Sequence, residues 1–145
     1  AGQMKISSIL ATKNNNVVTI RPDQSIRHAL ALLSQHNIGA LVVVDESDIP
    51  IGILSERDVA RKAAHNEQLF DLSVRELMTA SVVTGSPMDD LHAVLNTMTQ
   101  KHFRHLPIVD QGKLIGMITL GDVVKARLDE YKGEIDTLET QITRG

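Results

Sequence analysis

The sequence predicts an α/β (α+β) fold: two β-α-β-β-α repeats packed as one pseudo-two-fold body, followed by an extended C-terminal helix. Three observations predict it. GILSERD (52–58) returns as GMITLGD (116–122), and VVTIRP (17–22) returns as VVTGSP (82–87). Between these landmarks, short β-branched runs and amphipathic stretches follow one another in the same order in both halves.

The offset between halves is 65 residues at Pro22/Pro87 and holds through Ile26/Leu91, Leu30/Leu95, Leu33/Met98 and Asp45/Asp110. It falls to 64 at Gly52/Gly116, Ser55/Thr119 and Asp58/Asp122, because DESDIPIG carries one residue more than DQGKLIG. Turns tolerate such length changes. Val17–Ile20 reads as a strand closed by Pro22. Ser25–His36 reads as a helix with Ile26, Ala29, Leu30, Leu32 and Leu33 on one broad face. LVVVD (41–45) and IGILS (51–55) are two strands around a turn, and Glu56 to about Ala64 is the closing helix. Runs as apolar as LVVV suit a sheet covered on both faces, which neither half has helices enough to provide alone. The halves are therefore expected to pack together.

Residues 1–3, ahead of Met4, read as an appended remnant. Residues 4–64 are the first repeat, 65–73 a linker, 74–125 the second repeat and 126–145 a C-terminal helical extension. In that extension Val124, Leu128, Tyr131, Ile135, Leu138 and Ile142 follow four-three-four spacing, the pattern of a coiled-coil seam. The stripe either packs back on its own domain or joins a second copy.

Composition excludes several classes. With 42% hydrophobic and 23% charged residues, and no apolar run of membrane-span length, the chain reads as soluble. A net charge of −3 offers no basic field to a nucleic-acid backbone, and Phe70, Phe103 and Tyr131 are the only aromatic residues. The absence of cysteine and of a leader pattern suits the cytoplasm. No membrane or nucleic-acid partner is expected.

Ser55-x-x-Asp58 and Thr119-x-x-Asp122 each match a capping box, in which the hydroxyl accepts from an N–H at the helix start and the acid reaches back. The same atoms can serve a ligand. A helix N-terminus favours phosphate, a hydroxyl can donate to it, and an ionised Asp can accept both hydrogen bonds of a ribose diol. Hydroxyl and acid on one helical turn form a nucleotide handle.

In these motifs, with NIGALVVVD (37–45) and FRHLPIVD (103–110), the chain resembles the tandem cystathionine β-synthase (CBS) domain family, over about 17–124, and most of all its stand-alone bacterial pairs. The resemblance implies two adenosine-nucleotide sites between the repeats. Asp122 and Asp58 would hold the ribose hydroxyls, and Thr119 and Ser55 ribose or phosphate. Thr19 and Ile38 would face the adenine of the Asp122 site, Thr84 and Phe103 that of the Asp58 site. Arg104 and His105 would contact phosphate, with Arg57 a further cation at a helix start. Gly39 and Ala40 replace Arg104 and His105 in the first copy. The Asp122 site, with Gly121 in place of Arg57, is accordingly expected to be the better one.

His102 and His105 form HxxH without a third ligand at suitable spacing, so no metal site is expected. Asp89-Asp90 reads as the polar start of a helix. No nucleophile, Walker A or GxGxxG pattern occurs. The expectation is a non-enzymatic sensor without catalytic cofactor that binds AMP, NAD(H) or ATP (S-adenosylmethionine being a further adenosyl possibility), forms a homodimer and signals to a separate effector protein. The competing reading is a structural dimerisation module whose hydroxyl–Asp pairs only cap helices.

Overall fold

The chain opens with α1 (Ile6–Thr12) in a computed structural model that describes residues 4–13 and 17–144. Next come β1 (Thr19–Ile20), α2 (Ile26–His36), β2 (Ala40–Val44), β3 (Pro50–Ser55) and α3 (Glu56–Ala63). After a short turn of 3-10 helix, the chain continues through α4 (Val74–Leu77), α5 (Leu91–Lys101), β4 (His105–Asp110), β5 (Lys113–Thr119) and α6 (Leu120–Arg144). The expected order of elements is complete in the first copy, the second lacks its opening strand, and a helix is added ahead of each. Residues 1–3 lie outside the described residues.

Corresponding helices start and stop by the same chemistry. The Ser25 hydroxyl accepts from the His28 N–H at 3.1 Å, and the Asp90 carboxylate accepts from the Ala93 N–H at 3.0 Å. Asn37 and His102, one offset apart, end α2 and α5 in the left-handed conformation at φ 51° and 59°. A reversed backbone at both positions aims the chain straight back into β2 and β4.

The first sheet has the order β1-β2-β3, with β1 parallel and β3 antiparallel to β2. All five residues of β2 are buried, as its unbroken apolar run requires. The second sheet is the antiparallel pair β4-β5. Both hairpins shift register at the same place, between Val43 and Val44 and between Ile108 and Val109. The strand expected at Val82–Gly85 is reduced to a single bridge, Gly85 to Ile108. Proline explains this: the Val42 N–H donates to the Val18 carbonyl, and the residue equivalent to Val42 is Pro107, which has no N–H to offer Val83.

The two cores do not follow the chain. Ile6, Ile9 and Leu10 of α1 are buried with Leu91, Met98, Ile108 and Ile118 of the second repeat, whereas Val74 of α4 is buried with Ile26, Leu33, Leu41 and Leu54 of the first. Matching backbone bonds tie each added helix across. The Ile6 and Ser7 N–H groups donate to the Asp89 and Pro87 carbonyls, and those of Val74 and Arg75 donate to Gln24 and Pro22. Each repeat thus completes its core with the helix that precedes the other. Fully burying one such Leu or Ile is worth about 1.5–3 kcal/mol, so this exchange binds the halves into one body.

Candidate functional site

Both hydroxyl–Asp motifs sit where a strand meets a helix. At α3 the Ser55 N–H and hydroxyl donate to Asp58 Oδ2 at 3.0 and 2.9 Å, and the Asp58 N–H donates to Ser55 Oγ at 3.2 Å. At α6 the Thr119 N–H donates to Asp122 Oδ2 at 2.9 Å, and the Asp122 N–H to Thr119 Oγ1 at 3.1 Å. The capping geometry is therefore real in both copies. It engages Oδ2 in each case; among the described residues no hydrogen bond uses Oδ1, so each carboxylate keeps acceptor capacity for a ligand.

Two cavities lie between the repeats. One, of about 300 Å³, is lined by Val17, Val18, Ile38 and Gly39 from the first repeat and by His105, Met117 and Thr119 from the second, with Lys13 at its edge. The other, of about 640 Å³, is lined by Ser55, Arg57, Asp58 and Arg61 on one side and Phe103, Arg104 and His105 on the other. Both volumes fall within the range of small-molecule sites.

The sequence-derived residues are distributed unevenly. Ile38 and Thr119 share the smaller cavity; Ser55, Arg57, Asp58 and Phe103 share the larger. His105 lines both, at the junction. Arg104, assigned by sequence to the Asp122 side, lines the larger cavity beside Asp58, because adjacent residues entering β4 direct their side chains apart. Arg57, Arg61, Lys101 and Arg104 make that cavity, rather than the one expected to be the better site, the more cationic of the two. A Cβ at Gly121 would meet only Thr119 Oγ1 at 3.7 Å, so the glycine is not needed for space among the protein's own atoms. Thr19 is exposed and absent from the smaller cavity's lining, where Val17 and Val18 stand instead. Thr84 lines a separate cavity of about 220 Å³ that shares Val83 and Phe103 with the larger one.

Lys13 is the residue the sequence did not single out. Its Nζ lies 2.5 Å from Asp122 Oδ2 and donates to the Met117 carbonyl at 2.8 Å. Burial works against ionisation of Asp122, yet the Lys13 ammonium and the Thr119 bonds outweigh it and hold the acid below its ordinary pKa. His105 is shifted down, chiefly by burial and then by the Lys13 and Arg104 charges, against a smaller opposite pull from Asp58 and Asp122. A neutral imidazole at the cavity junction can donate from one nitrogen and accept at the other.

The apolar stripe of α6 is not packed back on the domain. Val124, Leu128, Tyr131, Ile135 and Leu138 are all exposed, Leu128 by 61%. Ile142 lies outside the described side chains. The opposite face is held to α5, where Glu130 pairs with His92 at 3.2 Å, and Val123 is buried in the core. No helix among the described residues is long and apolar enough to cross a membrane.

Paired sheets, exchanged helices and two inter-repeat cavities, with Asp58 lining the larger and Asp122 bordering a groove that meets the smaller at Lys13, define a tandem repeat pair. A family model for the CBS domain matches residues 6–65 and 74–129, and the chain belongs to that family. It is similar to the CBS domain-containing protein YhcV of Bacillus subtilis, 36% identical over 118 residues that cover 81% of this chain and 84% of the relative. Among solved structures it is similar to the CBS-domain protein ATU1752 of Agrobacterium tumefaciens, with TM-score 0.80 and 38% identity over 86% of this chain and 99% of that one. The CBS domain pair of protein MJ0100, solved with 5-methylthioadenosine and S-adenosyl-L-methionine, matches with TM-score 0.76 and 26% identity, covering 90% and 99% of the two chains.

Proposed function

We propose that this protein is a non-enzymatic sensor that binds adenosyl nucleotides between its repeats and signals by shifting the repeats or two subunits relative to each other. One observation carries the reading: each inter-repeat cavity has beside it a helix N-terminus whose first turn bears a hydroxyl and a carboxylate with acceptor capacity to spare. Apolar surface for a flat base comes from Ile38 in one cavity and Phe103 in the other. The MJ0100 pair, which holds two adenosyl compounds, supports the same ligand class here.

The charge distribution separates the two sites. Four cations around Asp58 suit the phosphates of ATP or the pyrophosphate of NAD(H), while Lys13 and His105 suit the single phosphate of AMP. A ligand that spans the cleft shifts the repeats only as far as it binds one arrangement better than another. The exposed α6 stripe supports homodimerisation, with a second copy covering it, and an effector protein would read the resulting change.

A thermal-shift series with AMP, ATP and NAD, against GTP, tests the reading, because a ligand that binds only the folded state raises the melting temperature by an amount that grows with the logarithm of its concentration above Kd. Stabilisation by adenosyl ligands that fades in Asp58→Ala and Asp122→Ala is expected. The structural-module reading, favoured by the complete capping geometry, expects the two variants to lose about 1 kcal/mol of stability and no nucleotide to act on any form.

A further inference from the structure

The two sites differ in one feature that the repeat itself makes visible. The crossed backbone bonds place Ile6 opposite Val74, so Lys13 answers to Ser81. Each lines the cavity of the motif it neighbours: Ser81 beside Asp58, Lys13 beside Thr119. Asp58 accepts from Ser55 alone among the described bonds, whereas Asp122 has an ammonium on the same oxygen that anchors its cap. Lys13 lines both the 300 Å³ cavity and the neighbouring groove that Asp122 borders, and its ammonium links them by its bonds to the Met117 carbonyl of the cavity and to Asp122 of the groove.

We propose that Lys13 makes the Asp122 site selective for nucleotides over nucleosides by occupying the ribose-binding carboxylate until a ligand phosphate takes it over. Oδ1 of Asp122 is open among the described bonds, but a diol that engages both carboxylate oxygens must displace the ammonium from Oδ2, and the Lys13 side chain, only 31% exposed, would be left without its anion. Adenosine offers nothing in exchange, and its binding carries that cost. The phosphate of AMP gives Nζ a new anionic partner, and the cost is recovered. Because α1 is buried in the second repeat's core, a displacement of Lys13 also acts on the segment that crosses between repeats.

This inference rests on the adenosyl reading above. Its test is calorimetric titration of AMP and of adenosine into Asp58→Ala, which removes the other site's diol acceptor, and into the same background with Lys13→Met or Lys13→Arg. Without the Lys13 change, AMP should bind more tightly than adenosine. Lys13→Met should reduce that preference about fivefold or more, with adenosine bound no more weakly than before, and Lys13→Arg should keep it. AMP binding with an unchanged AMP-to-adenosine ratio in Lys13→Met would overturn the selectivity role and leave the adenosyl site standing. Failure of both ligands to bind any of these forms would overturn the selectivity role together with the adenosyl reading of the Asp122 site, while ATP or NAD binding to the wild-type chain would leave the Asp58 site standing.

Discussion

Gly52 opens the first hydroxyl–Asp motif, and its missing side chain is a packing requirement that can be weighed. A Cβ built there would lie 2.5 Å from Met78 Sδ, 3.1 Å from Met78 Cγ and 3.1 Å from the Thr79 carbonyl, all inside the 3.4 Å at which ordinary contact begins. Thr79 is fixed by reciprocal backbone bonds to Ile53 at 2.9 and 3.0 Å, so relief must come from Met78. Overpacking of this kind costs about 1–3 kcal/mol. For a domain of this size Gly52→Ala should therefore lower the melting temperature by about 3–10 °C. Urea unfolding of wild type, Gly52→Ala, Met78→Ala and the double variant completes a cycle. If the clash is the cause, removing Met78 rescues the alanine, and the pair couples by about 1 kcal/mol or more. Additive effects within about 0.5 kcal/mol would refute the steric argument.

Two further outcomes follow from the site and from α6. His105 has its pKa lowered in the folded chain, so the unfolded chain binds its proton first: stability is full above the ordinary value of 6.5 and falls as pH drops below it toward the folded value. Asp122, lowered from 3.8, adds stability that persists above that pH and disappears as pH falls through its folded value. Urea midpoints measured from pH 8 to 5 should show the His105 slope, and His105→Gln should flatten it; an unaltered profile in the variant would assign the slope elsewhere. Leu128→Glu, in the middle of the exposed stripe, should convert an associated species to monomer in sedimentation, whereas identical sedimentation of both forms would remove α6 from the contact.

What could be read from sequence was whatever the repeat duplicates. Helix starts at Ser25 and Asp90, the two hairpins and both capped motifs stand where the offset puts them, because each is set by neighbours in the chain. The missing strand before Pro87 turns on one amide that proline lacks, a departure visible only once Pro107 is seen to stand at Val42's place. Lys13 carries no motif. Its position depends on α1 docking into the other repeat, a long-range event that local pattern does not encode, although the halves could have been compared upstream of VVTIRP. Arg104 lines the cavity of Asp58 because a strand's alternation decides the side on which a residue emerges, and the exact entry of β4 is not legible in the motif.

Calorimetric titration of the wild-type chain with ATP, AMP and NAD, with GTP as control and Asp58→Ala/Asp122→Ala as comparison, tests the central claim most directly. The account predicts saturable binding of at least one adenosyl ligand, none of GTP, and loss of binding in the double variant while its circular dichroism stays folded. Adenosyl binding that survives loss of both carboxylates, or no binding by the nucleotide-free wild type, would contradict it.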